Sequence, residues 1–123
     1  MAKTILFIED DLPTVEVYKT ALEAAGFKVE TTLSGNDGIK KIKAKAPDLI
    51  LLDFLLPDIN GMEVLKEIRA QKDTKDIPIF ILTNYTDKKL GQKGIFLKNE
   101  KYLLKTKHTP RELVEKVKKE LGA

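Results

Sequence analysis

The sequence predicts an α/β domain: a doubly wound, five-stranded parallel sheet carrying five helices. Two observations lead there. Short apolar runs alternate with amphipathic stretches along all 123 residues, without repeats or low-complexity segments. That is the chain order of strands joined by crossover helices. The runs TILFI (4–8), DLILLDF (48–54) and IPIFILT (77–83) are also apolar almost throughout, as strands covered by helices on both faces must be.

Each element has its own local reason. After the first strand, PTVEVYKTALEAAG places Val15, Tyr18, Leu22 and Ala25 on one helical face, with Pro13 in the first turn and Gly26 at the stop. FKVET (27–31) alternates, which predicts a second strand with one wetter face. SGNDGIKKIKAKAP starts a helix near Ser34 that buries Ile39, Ile42 and Ala46 and breaks at Pro47. The third strand spans 48–54. The next helix spans Gly61 to Gln71, with Asn60 as its cap and Met62, Leu65 and Ile68 inward. Strand four follows at 77–83. DKKLGQKGIFL (87–97) is a weaker helix, because Gly91 and Gly94 each cost about 1 kcal/mol against alanine. KYLLK (101–105) is the fifth strand. The last helix opens on TPRE, with Thr109 as cap, Pro110 in the first position and Glu112 closing a capping box. It buries Leu113, Val117 and Leu121.

A chain of this length fits one domain, residues 1–123, and is long enough to bury a true core. It contains 42% hydrophobic and 33% charged residues, the balance of an ordinary globular protein. With no cysteine there is neither a disulfide framework nor a thiolate metal site. The N-terminus MAKTILFIEDD runs into acids too early for a signal peptide, and no segment reaches a membrane span. The net charge of +3 is a poor argument for nucleic-acid contact. The expected setting is the cytoplasm, with no membrane or nucleic-acid partner and a monomer or weak homodimer as the assembly.

Parallel sheets of this kind bind ligands beyond the carboxyl ends of their strands. Those ends carry Glu9-Asp10-Asp11, Asp53, Thr83 and Lys105. Asp53 closes a run of leucines, where an unpaired carboxylate costs several kcal/mol. Clustered carboxylates repel one another, and a hard divalent cation relieves that. Acids, a lysine and a hydroxyl around one carboxylate make a phosphoryl-transfer centre, in which a carboxylate attacks while cationic groups neutralise the moving oxygens.

In FIEDD (7–11), LILLDFLLPDINGMEVL (49–65), IFILTN (79–84) and KYLLK (101–105), the chain resembles the receiver domains of two-component response regulators, over essentially its whole length. The resemblance implies the flavodoxin-like strand order 2-1-3-4-5 and Asp53 as phosphoacceptor. It implies Mg²⁺ bound by Asp10 directly, by Glu9 mainly through a water, by Asp53 and by the backbone carbonyl of Leu55. Lys105 would pair with the phosphoryl oxygens, Thr83 would donate its hydroxyl to them, and Tyr102 matches the aromatic switch position. The implied donor is a phosphohistidine on a histidine kinase or phosphotransfer protein. The implied output is altered binding of a downstream protein target by the face of the fourth helix, fifth strand and fifth helix.

The chain departs from the family pattern at three places: Thr106 stands where proline usually follows the lysine, Asn84 where a small residue follows Thr83, and Lys98-Asn99 where Gly-Ala is common. A cis bond before threonine would cost about 2.5–4 kcal/mol. These departures motivate an alternative, a degenerate receiver that acts only as a protein-interaction module. The positions that influence water access hold Leu55 and Tyr85, neither able to orient a hydrolytic water, so slow self-dephosphorylation is expected. Residues 88–108 carry seven lysines against Glu100 alone, which suits a target with an acidic surface. His108, the only histidine, reads as a solvated loop residue, and Asp11 as support for the following helix.

Enzyme readings fare worse. The acid pattern of haloacid-dehalogenase-type phosphatases fails at Leu12, and EDDLP would repel a flavin phosphate. The domain is expected to carry self-phosphorylation and dephosphorylation chemistry only. LGA ends the chain just after the last helix, so a stand-alone receiver or a piece of a longer regulator is expected.

Overall fold

The computed structural model describes residues 2–53, 56, 58–83, 101–104 and 109–122; the side chains of residues 101, 102 and 104 lie outside that description. The described elements are β1 (Thr4–Ile8), α1 (Leu12–Ala24), β2 (Lys28–Thr32), α2 (Gly35–Ala44), β3 (Leu49–Leu52), α3 (Gly61–Arg69), β4 (Ile79–Thr83), β5 (Lys101–Leu104) and α4 (Pro110–Leu121). The helix expected over 87–97 lies outside the described residues. All strand pairs are parallel and the order is β2-β1-β3-β4-β5.

Alternation along the strands splits the core into two layers. Ile5, Phe7, Leu49, Leu51, Phe80, Leu82 and Leu103 face α1 and α4, where Val15, Tyr18, Leu22, Leu113, Val114 and Val117 close the layer. Leu6, Ile8, Ile50, Leu52, Ile79 and Ile81 face α2 and α3, against Ile42, Val64, Leu65 and Ile68. Burial of each such side chain contributes about 1.5–3 kcal/mol, so the central strands are rigid. Phe7 and Tyr18 add an edge-to-face contact with centroids 6.2 Å apart.

The caps anchor the helix starts at the carboxyl edge of the sheet. Asp11, Ser34, Asn60 and Thr109 accept from the backbone N–H groups of Thr14, Asp37, Glu63 and Glu112. Thr109 and Glu112 form the predicted capping box. Gly26, with φ +97°, ends α1 in a conformation that suits glycine.

Several boundaries differ from expectation. The second helix stops at Ala44, because Lys45 turns extended ahead of the Ala46-Pro47 pair; a proline disfavours helical backbone in the residue before it. Ala46 is consequently exposed rather than buried. The third helix ends at Arg69, two residues early, and β3 and β4 are shorter than their apolar runs. β2 is shifted one residue later than 27–31. Met62 and Leu121 pack against the core only partly buried.

Candidate functional site

Sheet register delivers the site. Ile8 pairs with Leu52, so Glu9 and Asp53 leave adjacent strands side by side. The Asp53 N–H donates to the Ile8 carbonyl at 3.1 Å, which holds its backbone one residue beyond the ladder. The Glu9 N–H donates to the Thr32 carbonyl at 3.0 Å. Both carboxylates are therefore fixed at the backbone by strands that cannot shift without breaking the core. Thr83 ends β4 and pairs with Leu104 of β5.

Glu9 is 0% exposed, Asp53 5% and Thr83 0%, whereas Asp10 is exposed. One carboxylate oxygen from each of Glu9, Asp10 and Asp53 lies within 4.8 Å of the others. Magnesium binds oxygen at about 2.0–2.1 Å, so two of its ligands stand at most ~4.2 Å apart. The three acids fit such an ion once a side chain turns inward or a water intervenes, and the hard oxygen donors suit it chemically. Glu9 also accepts from the Asp11 N–H at 3.3 Å, which orients its carboxylate from the start of α1.

Asp11 serves as the α1 cap, accepting from the Thr14 amide at 3.2 Å and from the Thr14 hydroxyl. Of the other expected site residues, Lys105 and Leu55 lie outside the described residues, as do Asn84, Lys98, Asn99 and Thr106. Tyr102 is placed by its backbone in β5, opposite Ile81.

Sequence reasoning passed over Asp58. Its two carboxylate oxygens accept from the N–H groups of Gly35 and Asn36, each at 2.9 Å, across more than twenty residues of chain. The Asn36 amide, with those of Gly35, Ile59 and Asp58 itself, holds this carboxyl below its ordinary value of 3.8 against a smaller opposing effect of desolvation. The only signal in the sequence is a bare glycine opening α2 and an acid in the PDING turn, and neither names the other.

Among protein families, the one described as "Response regulator receiver domain" matches residues 5–118. The chain is similar to the phosphate regulon transcriptional regulatory protein PhoB of Rhizobium meliloti, 31% identical over 118 residues that cover 96% of this chain and 52% of PhoB. It thus spans about half the length of the first curated relatives it matches. It is also similar to the polar-differentiation response regulator DivK of Brucella ovis, 29% identical with 99% of this chain and 98% of DivK covered. A solved neighbour is the receiver domain of the sensor histidine kinase PA1611 of Pseudomonas aeruginosa, with a TM-score of 0.86, 26% identity and both chains covered in full. That neighbour holds a magnesium ion coordinated in its active site cleft.

Proposed function

Because the chain belongs to the response regulator receiver domain family of two-component signalling, we propose that it is a phosphoacceptor switch with Asp53 as the residue phosphorylated. The observation that carries this reading is the buried Asp53 carboxylate grouped with Glu9 and Asp10 at the carboxyl edge of the sheet. In the step itself, a carboxylate oxygen of Asp53 attacks the phosphorus of a phosphohistidine on a histidine kinase or phosphotransfer protein. The P–O bond forms as the P–N bond breaks, and the departing imidazole takes up a proton.

Glu9, Asp10, Asp53 and the Leu55 carbonyl would hold Mg²⁺. When bound, the ion supplies positive charge to the phosphoryl oxygens. The rigid backbone of Asp53 keeps the nucleophile in place. The Thr83 hydroxyl, at the end of the neighbouring strand, donates to a phosphoryl oxygen once it arrives, and the Lys105 ammonium pairs with another. Movement of Thr83 toward the site then changes the surface that includes Tyr102, and with it affinity for a downstream protein target with an acidic face. The domain acts in the cytoplasm as a switch and turns over no metabolite.

The test is to add acetyl phosphate and Mg²⁺ and follow intact mass. One phosphoryl group is expected on the wild type and none on Asp53→Asn. Beryllofluoride with Mg²⁺ should shift the amide resonances of the same edge. A protein that takes up neither under these conditions is a binding module rather than a phosphoacceptor.

A further inference from the structure

We infer that Thr14 is a positioning residue for the acidic cluster, acting through the α1 cap Asp11 on Glu9 and Asp10. The inference rests on the metal-binding reading above. Of the three grouped acids, Asp10 is the exposed one. An exposed carboxylate has more conformations to lose when an ion engages it. The placing of its backbone therefore matters most.

That backbone is tied on both sides. Before it, the Glu9 N–H donates to the Thr32 carbonyl at 3.0 Å. After it, the Asp11 carbonyl accepts from the Val15 N–H at 3.0 Å. The Asp11 side chain is fixed to the same turn. Its Oδ2 accepts from the Thr14 N–H at 3.2 Å and from the Thr14 hydroxyl. Val15 is buried in the layer that α1 closes, so these bonds anchor Asp11 to a turn that core packing holds still.

Asp11 meets the site with its remaining backbone donor. Its N–H donates to Glu9 Oε2 at 3.3 Å. A chain of bonds thus runs from the Thr14 hydroxyl to Asp11 and from Asp11 to a metal ligand. A long bond of this kind tolerates little rotation of its donor, since hydrogen bonds weaken steeply as they bend. Asp11 stands just outside the helix, at φ −83° and ψ 103°. Removing the Thr14 hydroxyl takes away one of its ties to α1. The Asp11 N–H is then free to turn, and both Glu9 and the Asp10 backbone between them loosen. An ion must order more of the chain on binding, and affinity falls. Thr14 carries no charge, so substituting it alters the geometry of the cluster and leaves its net charge unchanged.

The experiment is a Mg²⁺ titration of the full chain followed by amide NMR, for wild type, Thr14→Ser and Thr14→Val. Serine keeps the hydroxyl; valine keeps the shape and loses it. Thr14→Val is expected to bind about fivefold more weakly, the worth of one net hydrogen bond. Thr14→Ser should stay within about twofold of wild type. In the ion-free protein the Asp11 amide should exchange with solvent faster in Thr14→Val. A residue that merely stabilises α1 would lower the unfolding temperature without moving the dissociation constant. If Thr14→Val does not fold, Thr14→Ala takes its place in the same comparison. Three results overturn the inference and leave the metal-binding reading standing: a hydroxyl-free variant within about twofold of wild type, a serine variant equally weakened, or unchanged Asp11 exchange. A wild-type protein whose resonances ignore Mg²⁺ overturns both.

Discussion

Removing the charge at position 53 should stabilise the metal-free protein. Glu9 and Asp53 are both buried, with ligand oxygens no more than 4.8 Å apart. Two unit charges at that separation repel by roughly 3.5 kcal/mol at an effective dielectric of ~20. Asp53→Asn removes this repulsion while keeping the shape of the side chain. Asp53 takes part in further interactions that the amide keeps only in part, so the expected net gain is about 1–3 kcal/mol. In a domain of this size each kcal/mol moves the melting temperature by about 3–6 °C. The assay is thermal unfolding with EDTA and again with saturating Mg²⁺. Wild type should gain about 2.7 kcal/mol at an ion concentration a hundred times its dissociation constant, and the variant much less. The advantage of Asp53→Asn in EDTA should therefore shrink or reverse with Mg²⁺. A variant that melts below wild type in EDTA, or equal Mg²⁺ gains in both proteins, would refute the reasoning.

Four further outcomes follow from particular residues. Gly38→Ala places a Cβ 2.6 Å from Ile8 Cδ1; overpacking of about 1–3 kcal/mol outweighs about 1 kcal/mol of helix propensity, and urea unfolding should show a net loss. The folded-state pKa of Asp58 is depressed, so its contribution to stability is fully present above 3.8 and lost as pH falls through the lower folded value. The stability gap between wild type and Asp58→Asn should accordingly be constant near neutrality and close in strong acid. Phospho-Asp53 should persist for minutes or longer with Leu55 and Tyr85 intact, and decay within seconds, read by intact mass, would contradict that. Charge reversal of Lys89 and Lys93 to glutamate should weaken target binding and flatten its salt dependence, measured by titration at several ionic strengths.

What could be read in advance follows the range of the forces involved. Strands β1, β3 and β4 were legible because burial on both faces demands unbroken apolar runs, as in TILFI and LILL. The caps at Asn60 and Thr109 were legible because each bonds an amide three residues away. The grouping of Glu9, Asp10 and Asp53 was legible because parallel topology sends every strand end to the same edge. Ala46 was misjudged because periodicity continues past the point where Lys45 leaves the helix. Asp58 was missed for the opposite reason: its partners lie in a different turn, and nothing local marks a carboxylate that caps a helix through space.

The same topology raises a question about charge. A doubly wound parallel sheet starts its helices where its strands end, so the N-termini of α1, α2, α3 and α4 share the rim with the acids. Their partial positive charges offer an alternative to a cation as the balance for Glu9 and Asp53. The magnitudes decide against it. A helix end interacts with a nearby anion by about 0.3–1 kcal/mol, well below the roughly 3.5 kcal/mol of repulsion between the two buried carboxylates. Each end is also engaged already: Asp11 caps α1, Ser34 and Asp58 cap α2, Asn60 caps α3 and Thr109 caps α4. α1 reaches the cluster through the 3.3 Å bond from the Asp11 amide to Glu9. That bond orients one carboxylate. In the proposed function a divalent cation and the Lys105 ammonium take the balancing part, so Mg²⁺ dependence, more than any single side chain, is the test that separates a phosphoacceptor from a binding module of the same fold.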